Sequence, residues 1–205
     1  VGETFSKIVS PYDKVNAPLY GDAGTATLIE KGEYGTSIFE LMSDGSGAGA
    51  VMIPAGQCRV PVSKANMDVV EKEEGNRRSD NQVYMNGMDV FNFALRVVPR
   101  SIKRMVEDVP LALPDLDYLI FHQANRFMTD FFVKKLKFDP VKVPYCMDRF
   151  GNTSSSSIPL TIVSELEGKL DGEKKTVMCG FGAGLSWGTA YVEFKDCHVS
   201  SLIEY

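Results

Sequence analysis

Histidine is scarce in this chain, and no metal or disulfide pattern joins its cysteines. Two histidines and four cysteines (Cys58, Cys146, Cys179 and Cys197) are scattered over 205 residues with no C-x-x-C spacing. That spacing indicates neither a zinc site nor a disulfide framework, and it suits a reducing, cytoplasmic setting. No apolar run approaches the roughly 18 residues needed to cross a bilayer, and no charged-then-apolar leader is present, so the expectation is a chain that stays in water. Basic residues are also outnumbered, 22 against 27 acidic, for a net charge of -5. Nucleic acid is a poor partner for such a chain, because phosphate binding needs an overall or clustered basic field. Internal repeats and low-complexity tails are missing too. What is present, 44% hydrophobic and 24% charged residues, can bury one sizeable core. The chain opens on Val1, and VGE looks like a strand already ending, so the expectation is a fragment that begins in mid-fold.

Residues 21–33 (GDAGTATLIEKGE) suggest a glycine turn into a short strand, and residues 35–45 a second strand closed by Asp-Gly. Residues 61–82 are polar, charged and aperiodic, which predicts an exposed insertion between packed elements. Phe91, Ala94, Leu95, Val98, Ile102, Met105 and Val106 recur at helical spacing; Pro99 either kinks that run or starts a second helix. The apolar run LDYLIF ends at His122, which places that residue at the C-terminal end of a strand, where α/β proteins build their sites. A helix follows with Phe127, Met128, Phe131, Phe132 and Leu136 inward, and Arg126, Asp130, Lys134 and Lys137 outward; Lys135 falls within the apolar arc. Another helix begins near Ile158 with Pro159 in its first turn, Ile162, Val163, Leu166 and Leu170 inward, and serines suited to capping before it. TVMC, GFGAG and LSWGTAYVEF then give a strand, a tight turn and a returning antiparallel strand. The fold class is α/β with a mixed sheet and flanking helices.

GSGAGA at 45–50 matches the dinucleotide fingerprint G-x-G-x-x-A, but Pro54 in the following VMIPAG breaks the helix that a pyrophosphate site requires. It is better taken as a glycine-rich turn between strands. NTS at 152–154 fits the glycosylation pattern without the secreted context that pattern needs. A lone histidine beside apolar residues is more often structural than functional. Its neighbours alter that balance: HQAN at 122–125 is followed about thirty residues on by GNTSSSSIP and later by GFGAGLSWG.

Those three motifs in that order, with MNGMDVFNFALR at 85–96, VGETFSKIVSPYD and GDAGTA, strongly resemble the second half of β-ketoacyl-acyl-carrier-protein synthase III, the initiating condensing enzyme of bacterial fatty acid synthesis. The resemblance covers nearly the whole chain apart from the charged insertion. It implies a thiolase-like fold, with residues 1–34 ending the N-terminal half and 35–205 forming the C-terminal half. It further implies that an acyl group passes from acyl-CoA to a cysteine and is condensed with malonyl-acyl carrier protein (ACP). No cofactor or metal is implied, since both thioesters are substrates, and the full-length protein would be a homodimer.

By resemblance, His122 and Asn152 are catalytic, donating hydrogen bonds to the enolate oxygen formed when malonyl thioester loses carbon dioxide. Asparagine rather than histidine at 152 favours the initiating class. Phe181, Gly182 and Ala183 form the active-site loop, with the Ala183 backbone N–H at a second oxyanion and Phe181 over the reacting centre. The family usually has glycine at 183; alanine serves if its φ is negative. Gly87 and Phe91 would border the pantetheine tunnel and acyl pocket, and Asn125 would bind the pantetheine amide. Arg126, Lys134 and Lys135 form the expected docking patch for an acidic carrier protein. Two departures stand out: Phe127 occupies a position where members often have arginine, and Lys14 replaces an arginine that contacts the CoA adenine in some members. The family's nucleophilic cysteine lies upstream of the position matching Val1, and none of the four cysteines here has the strand-to-helix context that activates a thiol. The chain alone is therefore expected to be inactive. The alternatives are a related thiolase-fold acyltransferase, a polyketide-type condensing enzyme, or a non-catalytic partner of the carrier protein.

Overall fold

The two longest strands lie near the C-terminus and form the centre of the main sheet. The computed structural model describes residues 1–32, 35, 37–109 and 111–204. Its first part holds β1 (Gly2–Glu3), β2 (Ala23–Gly24), β3 (Ser37–Ser43), β4 (Val51–Met52), α1 (Lys64–Met67), β5 (Val70–Glu71), β6 (Arg77–Arg78), β7 (Tyr84–Met85) and the long helix α2 (Gly87–Glu107). The second part holds β8 (Tyr118–Phe121), α3 (Arg126–Leu136), α4 (Met147–Phe150), α5 (Ser157–Glu165), β9 (Glu173–Gly182) and β10 (Ser186–Lys195). The main sheet runs β3-β10-β9-β8. β10 is antiparallel to both neighbours, and β8 is parallel to β9, giving the mixed pairing that the sequence suggested.

Helix α2 begins where the Asn86 side chain accepts from the N–H groups of Met88 and Asp89, a cap that satisfies two of the unpaired donors at the helix start. Its Phe93, Ala94, Val98, Ile102 and Met105 are buried against the sheet and α3, as expected for one apolar stripe. Pro99 does not start a second helix: it sits inside one continuous element, buried on the packed face. Phe121, Phe132 and Phe181 continue this core toward the end of the sheet. On the other side, Ile120 packs with Leu166 and Leu170 in a smaller cluster. Leu170 lies beyond the end of α5, in the loop before β9.

Several expectations change. The strand expected over 21–33 forms only at Ala23–Gly24, and Leu28 and Ile29 are 90% and 88% exposed, because no described strand lies beside them to complete a ladder. Glu33 from that stretch and Thr36 from the next lie outside the described residues. Phe127 is 66% exposed rather than inward. Lys137 is not on the α3 face but terminates the helix in the left-handed region, φ 54°. The insertion at 61–82 is exposed along its outward arm but buried on its return. Arg78 is only 6% exposed, between Asp13 at 3.6 Å and Glu73 at 2.6 Å, while Asn76 Oδ1 accepts from Lys14 N–H. The serines before α5 do not cap it. Ser156 Oγ donates to the Ala23 carbonyl and Ser155 Oγ to Glu3, tying the helix start to the β1–β2 segment.

Candidate active site

Three chain segments converge at the C-terminal end of β8. His122 directly follows that strand, and its backbone N–H donates to the Cys179 carbonyl of β9 at 2.9 Å, extending the parallel ladder by one residue. Gln123 is buried and bridges two segments: its Nε2 donates to the Phe121 carbonyl, and its Oε1 accepts from Cys146 N–H. This joins HQAN to the loop that leads into GNTS.

Asn152 is positioned by backbone pairing with the N-terminal segment. Its N–H donates to the Leu19 carbonyl at 2.9 Å, and its carbonyl accepts from Gly21 N–H at 3.0 Å. The approach is close enough that a Cβ on Gly21 would sit 1.9 Å from the Phe150 carbonyl oxygen, so glycine is obligatory there. Gly151 meets the same need from the other side with φ +67°. Asn152 Oδ1 accepts from Ser154 N–H at 2.9 Å, which leaves the side-chain NH2 as the free donor.

His122, Asn152, Phe181, Gly182, Ala183, Gly87 and Asn125 all line one cavity of about 770 Å³. Among the described residues, no Asp, Glu, Lys or Arg lines it. Burial therefore dominates the imidazole, holding its pKa down from 6.5 to about 4 against a smaller opposing contact with the Ser154 backbone, so the ring is neutral at physiological pH. Nδ1 lies 2.6 Å from Ser157 Oγ. Phe181 meets the imidazole edge-on at 5.3 Å between centroids and is itself braced by Phe132 at 5.8 Å. Ala183 does not have a positive φ, so alanine sits in this turn without left-handed strain.

Two groups of expected residues behave differently. Phe91 does not line the cavity; it is part-buried and packs against Phe127 at 5.7 Å, because its position on α2 faces α3. Asn125 reaches the cavity, but its Oδ1 is committed to Met128 N–H as the cap of α3, leaving only its NH2 for a ligand. Arg126 pairs with Asp130 at 3.0 Å and stacks over Tyr145, so much of its charge is offset. Lys134 and Lys135 are exposed in the last turn of α3 and make no ion pair among the described residues. Sequence reasoning missed Tyr20, Met85, Ser157 and Trp187 as lining residues. Ser157 had a signal, its place in the serine run after GNTS, but the run suggested helix capping.

The four cysteines are free thiols. Cys179 is fully buried, its pKa pushed up to about 12, and burial also raises those of Cys146 and Cys197. None of these three forms a thiolate readily.

Residues 106–194 match the family model described as 3-oxoacyl-[acyl-carrier-protein (ACP)] synthase III C terminal. That stretch of the chain is similar to the C-terminal domain of that family. A Campylobacter jejuni protein bearing the name of a 3-oxoacyl-[acyl-carrier-protein] synthase 3 is 37% identical over 206 residues, covering 100% of this chain and 57% of its own length. The β-ketoacyl-[acyl-carrier-protein] synthase III of Streptococcus pneumoniae is 36% identical over 191 residues, covering 91% of this chain and 56% of its own. The crystal structure of 3-oxoacyl-(acyl-carrier protein) synthase from Burkholderia xenovorans superposes with a TM-score of 0.87 at 34% identity, over 100% of this chain and 58% of that one. The chain thus spans just over half the length of these relatives, and its fold is their thiolase-like one.

Proposed function

We propose that this chain supplies the decarboxylating, enolate-binding part of a 3-oxoacyl-[acyl-carrier-protein] synthase III that starts fatty acid synthesis. An acyl group taken from acyl-CoA would be held as a thioester on a cysteine outside these 205 residues. Malonyl-ACP would lose carbon dioxide, and its enolate carbon would attack the acyl carbonyl. The product is 3-oxoacyl-ACP, and the cysteine leaves as a thiolate. The carrying observation is that a neutral His122 and the NH2 of Asn152 line one cavity that has no charged side chain among the described residues. Two neutral donors stabilise a developing oxyanion more than a ground-state carbonyl, each worth about 3 to 4 kcal/mol. On this reading both thioesters are substrates, and neither cofactor nor metal takes part.

Lys134 and Lys135, with a weaker share from Arg126, would meet the acidic carrier protein. The full-length enzyme would be a cytoplasmic homodimer; among the described residues no helix is long and apolar enough to cross a membrane. The isolated chain would form no acyl-enzyme, since it lacks an activated thiol.

The test is intact-mass analysis of this chain together with its nucleophile-bearing half. It is exposed first to acetyl-CoA or another acyl-CoA primer and then to malonyl-ACP, with His122→Ala and Asn152→Ala in parallel. Acylation that is discharged by the wild type and persists in both variants supports the proposal. Discharge at wild-type rate in either variant refutes that residue's role. A carrier protein that binds without turnover would mark a non-catalytic partner, and a primer preference outside simple acyl-CoA would favour the polyketide-type reading.

A further inference from the structure

Ser157 is the only side chain hydrogen-bonded to the His122 ring among the described residues, through Nδ1 at 2.6 Å. It is 1% exposed in the first turn of α5. Its surroundings hold it still: Ser156 is anchored to the Ala23 carbonyl, and Thr161 Oγ1 donates to the Ser157 carbonyl at 2.8 Å. The Gln123 backbone N–H also donates to Ser157 Oγ, at 3.3 Å.

A hydroxyl has one proton to give and two lone pairs to receive. If Nδ1 also carried a hydrogen and donated it to Oγ, both lone pairs would be filled. The serine proton would then be buried with no acceptor among the described residues. The arrangement that satisfies Ser157 Oγ, the Gln123 N–H and Nδ1 together is a Ser157 O–H donating to an unprotonated Nδ1, with the hydrogen of the neutral ring on Nε2.

This inference rests on the condensing reading above and deepens it. We propose that Ser157 is a positioning residue that fixes His122 as the Nε2–H tautomer, so that the ring presents a hydrogen-bond donor to the malonyl thioester oxygen. The hydroxyl touches no reacting atom and transfers no proton. It removes the competing tautomer, which would turn a lone pair toward the enolate.

The experiment is a long-range 15N–1H correlation spectrum of the imidazole nitrogens in the 205-residue chain. His198→Gln is introduced to remove the other histidine. The expected pattern is one non-protonated nitrogen assigned to Nδ1 and one protonated nitrogen assigned to Nε2 near pH 7. Ser157→Ala should give shifts averaged between tautomers, and Ser157→Thr should restore the wild-type pattern. An Nδ1–H ring in the parent, or a pattern unchanged by Ser157→Ala, overturns the proposal. The parent spectrum decides even if the alanine variant does not fold. Joined to the nucleophile-bearing half, Ser157→Ala should lower kcat for condensation about tenfold with KM for malonyl-ACP little changed, and Ser157→Thr should recover it. A loss of kcat that Ser157→Thr fails to recover counts against the positioning role. An Nε2–H ring in a protein that never condenses removes the condensing reading and leaves the tautomer assignment standing.

Discussion

Replacing His122 by glutamine should change how the stability of this chain depends on pH. The imidazole pKa falls from 6.5 to about 4 because burial in the cavity wall strips water from the ring. Between those values the unfolded chain binds a proton that the folded chain excludes, so stability from this group is complete above pH 6.5 and is lost as pH falls toward 4. The depression is worth about 3 kcal/mol, reduced to about 2 to 3 kcal/mol because the cavity mouth admits water. Urea denaturation followed by tryptophan fluorescence or circular dichroism at pH 7.5, 6, 5 and 4 would measure it for wild type and His122→Gln. Carboxylates held below their ordinary range, such as Asp22 by Ser6 and Glu73 chiefly by a backbone hydrogen bond, destabilise both proteins in acid; the difference between the two curves cancels them. The difference should shift by about 2 to 3 kcal/mol in favour of the variant between pH 7.5 and 4. Curves that stay parallel to within about 0.5 kcal/mol would refute a neutral, desolvated His122.

Arg78→Met should destabilise the chain by about 3 to 5 kcal/mol, because it leaves the Asp13 carboxylate, 1% exposed, without its cation. A loss below about 1 kcal/mol in chemical denaturation would show that water reaches Asp13. Thiol labelling with a chromogenic disulfide should modify exposed Cys58 first in the native chain, whereas Cys179, with its pKa near 12, should react only after denaturant is added. Mass mapping that finds Cys179 labelled early would mean that the sheet opens on that timescale.

The elements legible in the sequence were those whose partners lie within the chain. β9 and β10 alternate because one face packs on α2, and each lies beside the other, so period-two patterning and the glycine turn sufficed. Residues 26–32 carry similar apolar character but remain outside any ladder, since strand formation depends on a neighbour that local sequence cannot supply. Phe39 and Leu41 make the same point within β3. They stand 66% and 80% exposed on the sheet face opposite Glu40, whose carboxylate accepts from Ser101 of α2. An apolar residue in a strand signals that a face is to be covered, not what covers it.

The candidate site divides along a similar line. His122 and Asn152 were visible because each sits in a short motif at a place the backbone dictates, one after a strand and one between Gly151 and the α5 start. Phe91 was assigned to the acyl pocket by resemblance; here it packs against Phe127, and helical periodicity alone does not separate a cavity wall from a helix–helix seam. Ser157 was not singled out for a different reason. In a run of four serines each has the same local propensity, and the property that distinguishes Ser157 is contact with residues 34 and 35 positions away. Those contacts make one hydroxyl both acceptor and donor, and its proton determines which nitrogen of His122 faces the cavity as a donor. The chemistry of the most recognisable residue thus depends on one of the least recognisable.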